Sequence, residues 1–333
     1  MTDETQAAFF GGASPSLGEA PGRVNLIGEH TDYNGGMALP MALPVGLRAY
    51  LAPRRDEMIR IASDRFDGVI ERSLEANKSD DWADHAVGAV IEANASNLLS
   101  GGADVFIKST IPDGAGLSSS AALIVAVLKA ARAVSGASAD DKDIATRARR
   151  VENNYIGMPC GIMDQMAVAI ARRGQAIALD TKTLAYDVVD APDGFRFAVI
   201  HSGERRRLSD GRYAARKTEC DAVRDAVGNP DICLLTDEEL EYALALPTPL
   251  NKRARHCVSE HQRTRRAATA LADGDYATVG ALMNESHLSM RDDFEMSLPT
   301  IDALVADAVE FGAVGARLTG GGFGGCIVAC VAE

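Results

Sequence analysis

Basic residues are in short supply. Across 333 residues, 34 Lys and Arg stand against 47 Asp and Glu, a net charge of −13, with a pI near 5.0. A nucleic-acid binder usually presents a basic face, so this balance speaks against a general polyanion surface. Any anionic ligand must then be held locally, by backbone amides, a few placed cations or a metal ion. Cysteine is sparse too. The six, at 160, 220, 233, 257, 326 and 330, form no CxxC pair and lack the density of a disulfide scaffold, so they read as the reduced thiols of a cytoplasmic protein. No uncharged apolar run reaches membrane-spanning length, and the first twenty residues carry acids where a signal peptide needs a basic start. Neither a membrane role nor secretion is expected. The Walker-type GxxxxGK[ST] is missing, which removes one common phosphate loop, and so is HExxH, with no second His at ligand spacing near His30.

What remains is an ordinary globular composition, 47% hydrophobic and 24% charged, long enough for two lobes. After a Gly, Ala and Ser-rich lead, "MALPMALPVGLRAYLAPR" mixes apolar runs with prolines and suits strands and edges. Alternation in "DVFIKSTI" predicts a strand over Val105–Ile111, and "SAALIVAVLKAARAVSG" predicts a helix ending at Gly136. "DKDIATRARRVENNYIG" and "GIMDQMAVAIARRG" read as two more helices, "QAIALD" and "FRFAVIH" as strands. From Arg212 to about Glu310 the chain turns helical and charged, with a helix pair hinged near Gly274, and it closes on a glycine loop and a buried strand. No repeat or low-complexity linker marks a boundary. A division near Asp180 to Asp190 is expected, giving lobes of 1–185 and 186–333.

Four stretches carry chemistry. In "IPDGAGLSSSAAL" a strand runs through glycines into a helix N-terminus, whose unpaired N–H groups and positive dipole end suit an anion, while the serines add donors and a hard oxygen for Mg²⁺. An ordinary Ser-capped helix is the plain alternative. "GGGFGG", Gly320 to Gly325, matches GxGxxG, but only a short strand follows, leaving no room for a dinucleotide fold; its glycines imply close approach to a ligand or to the serine loop. "VENNYIGMPCGIMDQMA" holds Glu152 and Asp164 in apolar company, where a cation such as Arg23 would favour a charged carboxylate. Plain alternatives are a helix cap or structural salt bridge for Asp164 and a solvated helix face for Glu152. Finally "GRVNLIGEHTDYNGG" sets Glu29, His30 and Asp32 on a short turn, acceptors plus one tunable donor for adjacent sugar hydroxyls, after Arg23, whose charge suits a developing phosphoryl group.

Together these segments resemble the galactokinase, homoserine kinase, mevalonate kinase and phosphomevalonate kinase (GHMP) superfamily. "GRVNLIGEHTDYNGG" is similar to the galactokinase signature, "GAGLSSSAAL" and "LTGGGFGGC" to the second and third superfamily motifs, and "GMPCGIMDQ" to the galactokinase segment bearing the catalytic aspartate. The resemblance implies an α+β, two-lobed fold, with an N-terminal lobe like ribosomal protein S5 domain 2 and a ferredoxin-like C-terminal lobe. It implies that Asp164 accepts the proton of the anomeric hydroxyl and that Arg23 lies beside it. Glu29, His30, Asp32, Gly161 and Tyr213 would contact the sugar. Gly114, Ala115, Gly116, Leu117, Ser118, Ser119 and Ser120 would wrap the ATP triphosphate, Trp82 would lie against adenine or serve the core, and Ser120 and Glu152 would take Mg²⁺.

The implied reaction is phosphoryl transfer from MgATP to galactose, with general-base help from Asp164. A kinase for N-acetylgalactosamine, L-arabinose or another sugar, and a silent sugar and ATP sensor, are the alternatives. The intact Glu-His-Thr-Asp-Tyr string favours galactose, and the complete "GLSSSAA" loop with Asp164 and Arg23 argues against silence. Galactokinases usually extend further past the third motif, so a compact second lobe is expected, truncated at the C-terminus, with Cys326 to Val331 as a late strand. Small-molecule partners are expected, with a monomer favoured over a dimer.

Overall fold

The computed structural model describes residues 3–191, 194–204 and 211–333. In chain order the elements are α1 (Asp3–Phe10), β1 (Ser16–Asn25), β2 (Met37–Ala38), β3 (Pro40–Pro53), β4 (Met58–Ser63), β5 (Ile70–Ser73), α2 (Asp84–Ala95), β6 (Ala103–Ser109), α3 (Ser119–Ser135), α4 (Asp141–Arg150) and α5 (Met163–Ile170). Then follow β7 (Gln175–Asp180), β8 (Tyr186–Asp190), β9 (Phe195–His201), α6 (Arg212–Val227), α7 (Asp237–Leu244), α8 (Leu250–Ala272), α9 (Tyr276–Asp292), α10 (Pro299–Glu310), β10 (Gly315–Leu318) and β11 (Cys326–Ala332). Contacts gather these into two compact units, each assembled from several stretches: residues 1–23, 42–111 and 118–173 in the first, 24–41, 112–117 and 174–333 in the second.

In the first unit β6 is central, antiparallel to β3 with Tyr50 opposite Phe106, and parallel to β4 with Ile61 opposite Val105. Helix α3 is apolar almost all round, with every residue from Ala121 to Leu128 buried, which is the pattern of a helix enclosed by others. It packs on α2, α4 and α5, and Gly136 closes it in the left-handed conformation, as the sequence predicts. The N-terminal lead is more ordered than its composition suggests. Helix α1 sets Phe9 and Phe10 against Phe106, Ala52 and Ala62, and β1 pairs with β3.

Helix α4 does not simply continue to Gly157. It passes into a π-turn over Val151–Ile156, whose wider winding carries Glu152 inward, to 5% exposure. The solvated-face alternative for Glu152 is therefore not what the fold adopts.

In the second unit β7 pairs antiparallel with β2 and with β8, a strand the sequence reading passed over. A separate antiparallel sheet runs β10-β11-β9, with Val328 of β11 opposite Arg317 and Val199. Cys326 to Val331 is thus a central strand, buried from Cys326 to Cys330. Helices α6, α7 and α9 pack around α8, while α9 and α10 cover β10. No helix among the described residues is long and apolar enough to cross a membrane, and none of the six cysteines is in a disulfide.

Candidate active site

Asp164 lies in the first turn of α5, where a carboxylate suits the helix dipole. It is not the N-cap. Arg23, at the end of β1, grips it in a fork: Nε donates to Oδ1 at 2.7 Å and Nη2 to Oδ2 at 2.6 Å. The guanidinium is 4% exposed and the carboxylate 31%, so one partner is fixed inside while the other keeps an open side. Ser118 donates a third hydrogen bond, to Oδ2. Ser118 caps α3 with a left-handed backbone, φ 57°, and its hydroxyl makes no cap bond. The ordinary capped-helix alternative fails there, because the hydroxyl turns to Asp164. Charge-assisted bonds of this kind contribute about 1.5–3 kcal/mol each.

In the first turn of α3, Ser120 donates to Oε1 of Glu152 at 2.9 Å. Cys160 Sγ lies 3.4 Å from Oε2, and the Gln165 amide donates to the same oxygen. Burial, then the charge of Asp164, raises the Glu152 pKa, while these hydrogen bonds lower it. A buried acid disfavoured by a second acid nearby is a place that a cation would relieve. The Gln165 Oε1 is also buried and without a hydrogen-bond partner. Hard oxygens from one carboxylate and one hydroxyl fit Mg²⁺, which keeps waters and substrate phosphates rather than needing a full protein cage. Among the described residues no group of three or more His, Cys, Asp and Glu forms such a cage. Gly161 is buried just ahead of α5, Ser119 is exposed at the head of α3, and Trp82 stacks on Phe66 at 4.7 Å and 14°.

In the second unit the 28–36 turn carries Glu29, His30 and Asp32. Gly28 sits at φ 98°, and a Cβ there would lie 2.6 Å from the Met37 carbonyl, so only glycine fits. His30 also takes a left-handed backbone, φ 59°. Side chains lace the turn: Thr31 donates to the Gly28 carbonyl at 2.9 Å and Asn34 to that of His30 at 2.7 Å. The imidazole packs against Tyr213 of α6 at 5.1 Å and Phe294 at 4.5 Å, and its Nδ1 is 2.6 Å from the Tyr33 hydroxyl. Tyr213 is thus brought to His30; residues 205–210, which precede α6 in the sequence, lie outside the described residues. Asp32 is half-buried on the same turn.

Glu29 is 2% exposed, and its Oε1 accepts the Gly320 amide at 2.7 Å. The glycine loop also approaches residues 114–117: a Cβ on Gly320 would be 3.7 Å from the Gly116 carbonyl, one on Gly325 3.7 Å from that of Ala115. Cys326 Sγ reaches the Ala115 carbonyl at 3.2 Å. Of the two approaches the glycines implied, the serine loop is the one seen. The sequence reading missed Glu260 and Arg317, both fully buried, with Glu260 Oε1 accepting the Gly28 amide at 3.0 Å. A signal existed, for Glu260 falls on the stripe Ala254, Cys257, Thr264, Ala267, Leu271 that helical periodicity assigns to the core.

Family descriptions match three successive stretches: a galactokinase galactose-binding signature over residues 7–53, the GHMP kinase N-terminal domain over 84–172 and the GHMP kinase C-terminal domain over 267–333. The fold is shared with mevalonate kinase from Methanococcus jannaschii (19% identity, 96% of this chain and 91% of that one, TM-score 0.71). It is shared also with phosphomevalonate kinase from Streptococcus pneumoniae (15%, 95% and 92%, 0.70). This is the GHMP kinase class. Galactokinase from Lactococcus lactis, solved with galactose, is 32% identical over 99% of this chain and 89% of its own, with a TM-score of 0.92. The chain belongs to the galactokinase family, sugar phosphotransferases of the GHMP kinase fold.

Proposed function

We propose that the chain transfers the γ-phosphoryl group of ATP to the anomeric C1 hydroxyl of D-galactose, giving galactose 1-phosphate and ADP. The observation that carries this reading is the Asp164 carboxylate, fixed by Arg23 and Ser118 on one side and open on the other. Galactose as the sugar is supported by the signature over residues 7–53 and by the galactose-complexed relative.

In this mechanism Glu29, His30 and Asp32, with Tyr213 packed on His30 and a backbone group of Gly161, hold the sugar hydroxyls. The C1 oxygen attacks the γ-phosphorus, its proton passes to Asp164, and the bond to the β–γ bridging oxygen breaks with the electron pair leaving on ADP. Positioning and electrostatics dominate such a transfer, and a general base adds about 10²–10⁴-fold. Arg23 prevents the carboxylate from swinging and presents fixed positive charge toward the equatorial oxygens. The loop from Gly114 to Ser120 receives the triphosphate through backbone amides and hydroxyls, with Trp82 against adenine. Ser120 and Glu152 would hold Mg²⁺, which neutralises phosphate charge when bound.

In family terms residues 1–185 form the N-terminal lobe and 186–333 the C-terminal lobe, supported by the domain matches inside each. The protein acts as a cytoplasmic monomer in this reading. The test is ADP release from MgATP with a panel of free sugars, and location of the phosphate on the product. Turnover peaking on galactose with phosphate on C1 is expected. A peak on N-acetylgalactosamine or L-arabinose would overturn the specificity, and binding without turnover would turn the reading toward a sensor.

A further inference from the structure

Helix α8 braces the turn that carries Glu29, His30 and Asp32. Glu260 Oε1 accepts the Gly28 amide at 3.0 Å, the Glu29 amide at 3.4 Å and the Ser286 hydroxyl at 2.7 Å; Oε2 accepts from Arg263 Nε at 3.0 Å. One helical turn earlier, His256 Nε2 is 3.2 Å from the Glu29 carbonyl and Nδ1 is 2.9 Å from Ser289 Oγ. A carbonyl only accepts, so Nε2 carries the proton, and the neutral ring then takes the Ser289 hydroxyl at Nδ1 in competition with that hydroxyl's other acceptor, Asp293 Oδ2 at 3.2 Å. The two α8 side chains therefore clamp both the amide and the carbonyl of Glu29. Arg317 stands between the two carboxylates, with Nη2 3.5 Å from that of Glu29 and 3.9 Å from that of Glu260.

Glu260, His256 and Arg317 are all fully buried. Burying charge for stability alone is a poor bargain, since apolar replacements of similar shape are often as stable or more so. What charge and hydrogen bonding supply here is geometry, on a turn whose left-handed His30 persists only if the surroundings over-determine it.

We propose that Glu260 and His256 are positioning residues for sugar recognition, fixing the Gly28–Glu29 backbone so that the Glu29 carboxylate is presented to a sugar hydroxyl. They act through Glu29 and do not themselves touch substrate. The inference rests on the proposed sugar-binding role of Glu29.

The test compares wild type with Glu29→Gln, Glu260→Gln, Glu29→Gln/Glu260→Gln, His256→Ala and His256→Gln. It reads the KM for galactose, the KM for ATP, kcat, and the galactose-dependent rise in melting temperature. Glu260→Gln is expected to raise the galactose KM about tenfold or more, with the ATP KM within about twofold, because the loss lies in one charge-assisted network. Added to Glu29→Gln it costs little further, since both act through one carboxylate. His256→Gln recovers part of what His256→Ala loses, because an amide can still donate to the Glu29 carbonyl. Multiplicative losses in the double variant, or parallel changes in the ATP KM, overturn the positioning role. If Glu29→Gln alone leaves the galactose KM and the galactose-induced stabilisation unchanged, the sugar-site reading itself fails and takes the proposal with it. Should Glu260→Gln not fold, the His256 pair decides: equal galactose KM for both variants and wild type overturns the role.

Discussion

Replacing Arg23 by Lys isolates the geometry of the guanidinium from its charge. Arg23 makes two bonds to Asp164, at 2.7 and 2.6 Å, from a side chain only 4% exposed. A lysine ammonium keeps the charge but is a point donor, so one of the two bonds is lost and the carboxylate gains freedom to turn. One charge-assisted bond contributes about 1.5–3 kcal/mol. At 1.36 kcal/mol per decade of rate, full expression in the transition state lowers kcat about ten- to hundredfold. Stability should change less, because the half-buried Asp164 carboxylate still faces a cation; a shift of about 1 kcal/mol corresponds to roughly 2–4 °C in a unit of 150–250 residues. The assay is steady-state ADP release at saturating galactose and MgATP, with a thermal melt of the same preparation. A kcat within twofold of wild type, with an unchanged melt, refutes the claim that the fork matters for the chemistry.

Ser118→Gly removes the third donor to Asp164 and relaxes the left-handed backbone at that position; kcat should fall about tenfold while the melt holds or rises, and a lower melt with unchanged kcat would contradict it. Glu152→Gln removes a carboxylate whose charged form burial disfavours, so the fold should not weaken. The Mg²⁺ concentration for half-maximal rate should rise several-fold, and an unaltered Mg²⁺ titration would remove Glu152 from that role. Acid should destabilise the second unit in two stages. Burial, outweighing the raising effect of the Glu260 charge, lowers the His256 pKa from 6.5 to about 4. The unfolded chain then takes up the proton first, and stability is lost as pH falls from about 6.5 to 4, by about 3 kcal/mol at most. Burial alone would raise Glu260, but Arg263, Arg317 and His256 bring it from 4.5 to about 2. Its contribution, complete above pH 4.5, is lost as pH falls toward 2. Melting temperature against pH should therefore begin to drop below about 6.5, with the upper limb flattened in His256→Gln; a flat profile down to pH 4 would contradict the assignment.

Periodicity made much of this fold readable. The Ala and Leu run of α3, its glycine stop, the strand before the serine loop and the buried strand after the glycine loop follow from local patterns that packing does not override. The pairing of Arg23 with Asp164, 141 residues apart, was legible because a carboxylate in apolar company needs a cation. The π-turn that buries Glu152 was not, since one extra residue in a helical turn leaves no compositional mark. Local sequence offers Ser118 the part of an anion donor or a cap, yet in the fold its hydroxyl goes to Asp164, a choice made by tertiary contacts. The return of residues 24–41 and 112–117 to the second unit is likewise invisible in a linear reading. Glu260 sits in the charged run "SEHQRTRR", where composition suggests a solvated face and only the helical period reveals the core.

The most direct measurement is rapid-quench ADP formation from MgATP and galactose at saturating concentrations, wild type against Asp164→Asn, with galactose binding measured on both. The asparagine keeps the size of the side chain and an acceptor for Arg23, but cannot take the proton. A burst or steady rate reduced about 10²–10⁴-fold, with galactose still bound, is predicted. Turnover within a few-fold of wild type would show that Asp164 is not the base.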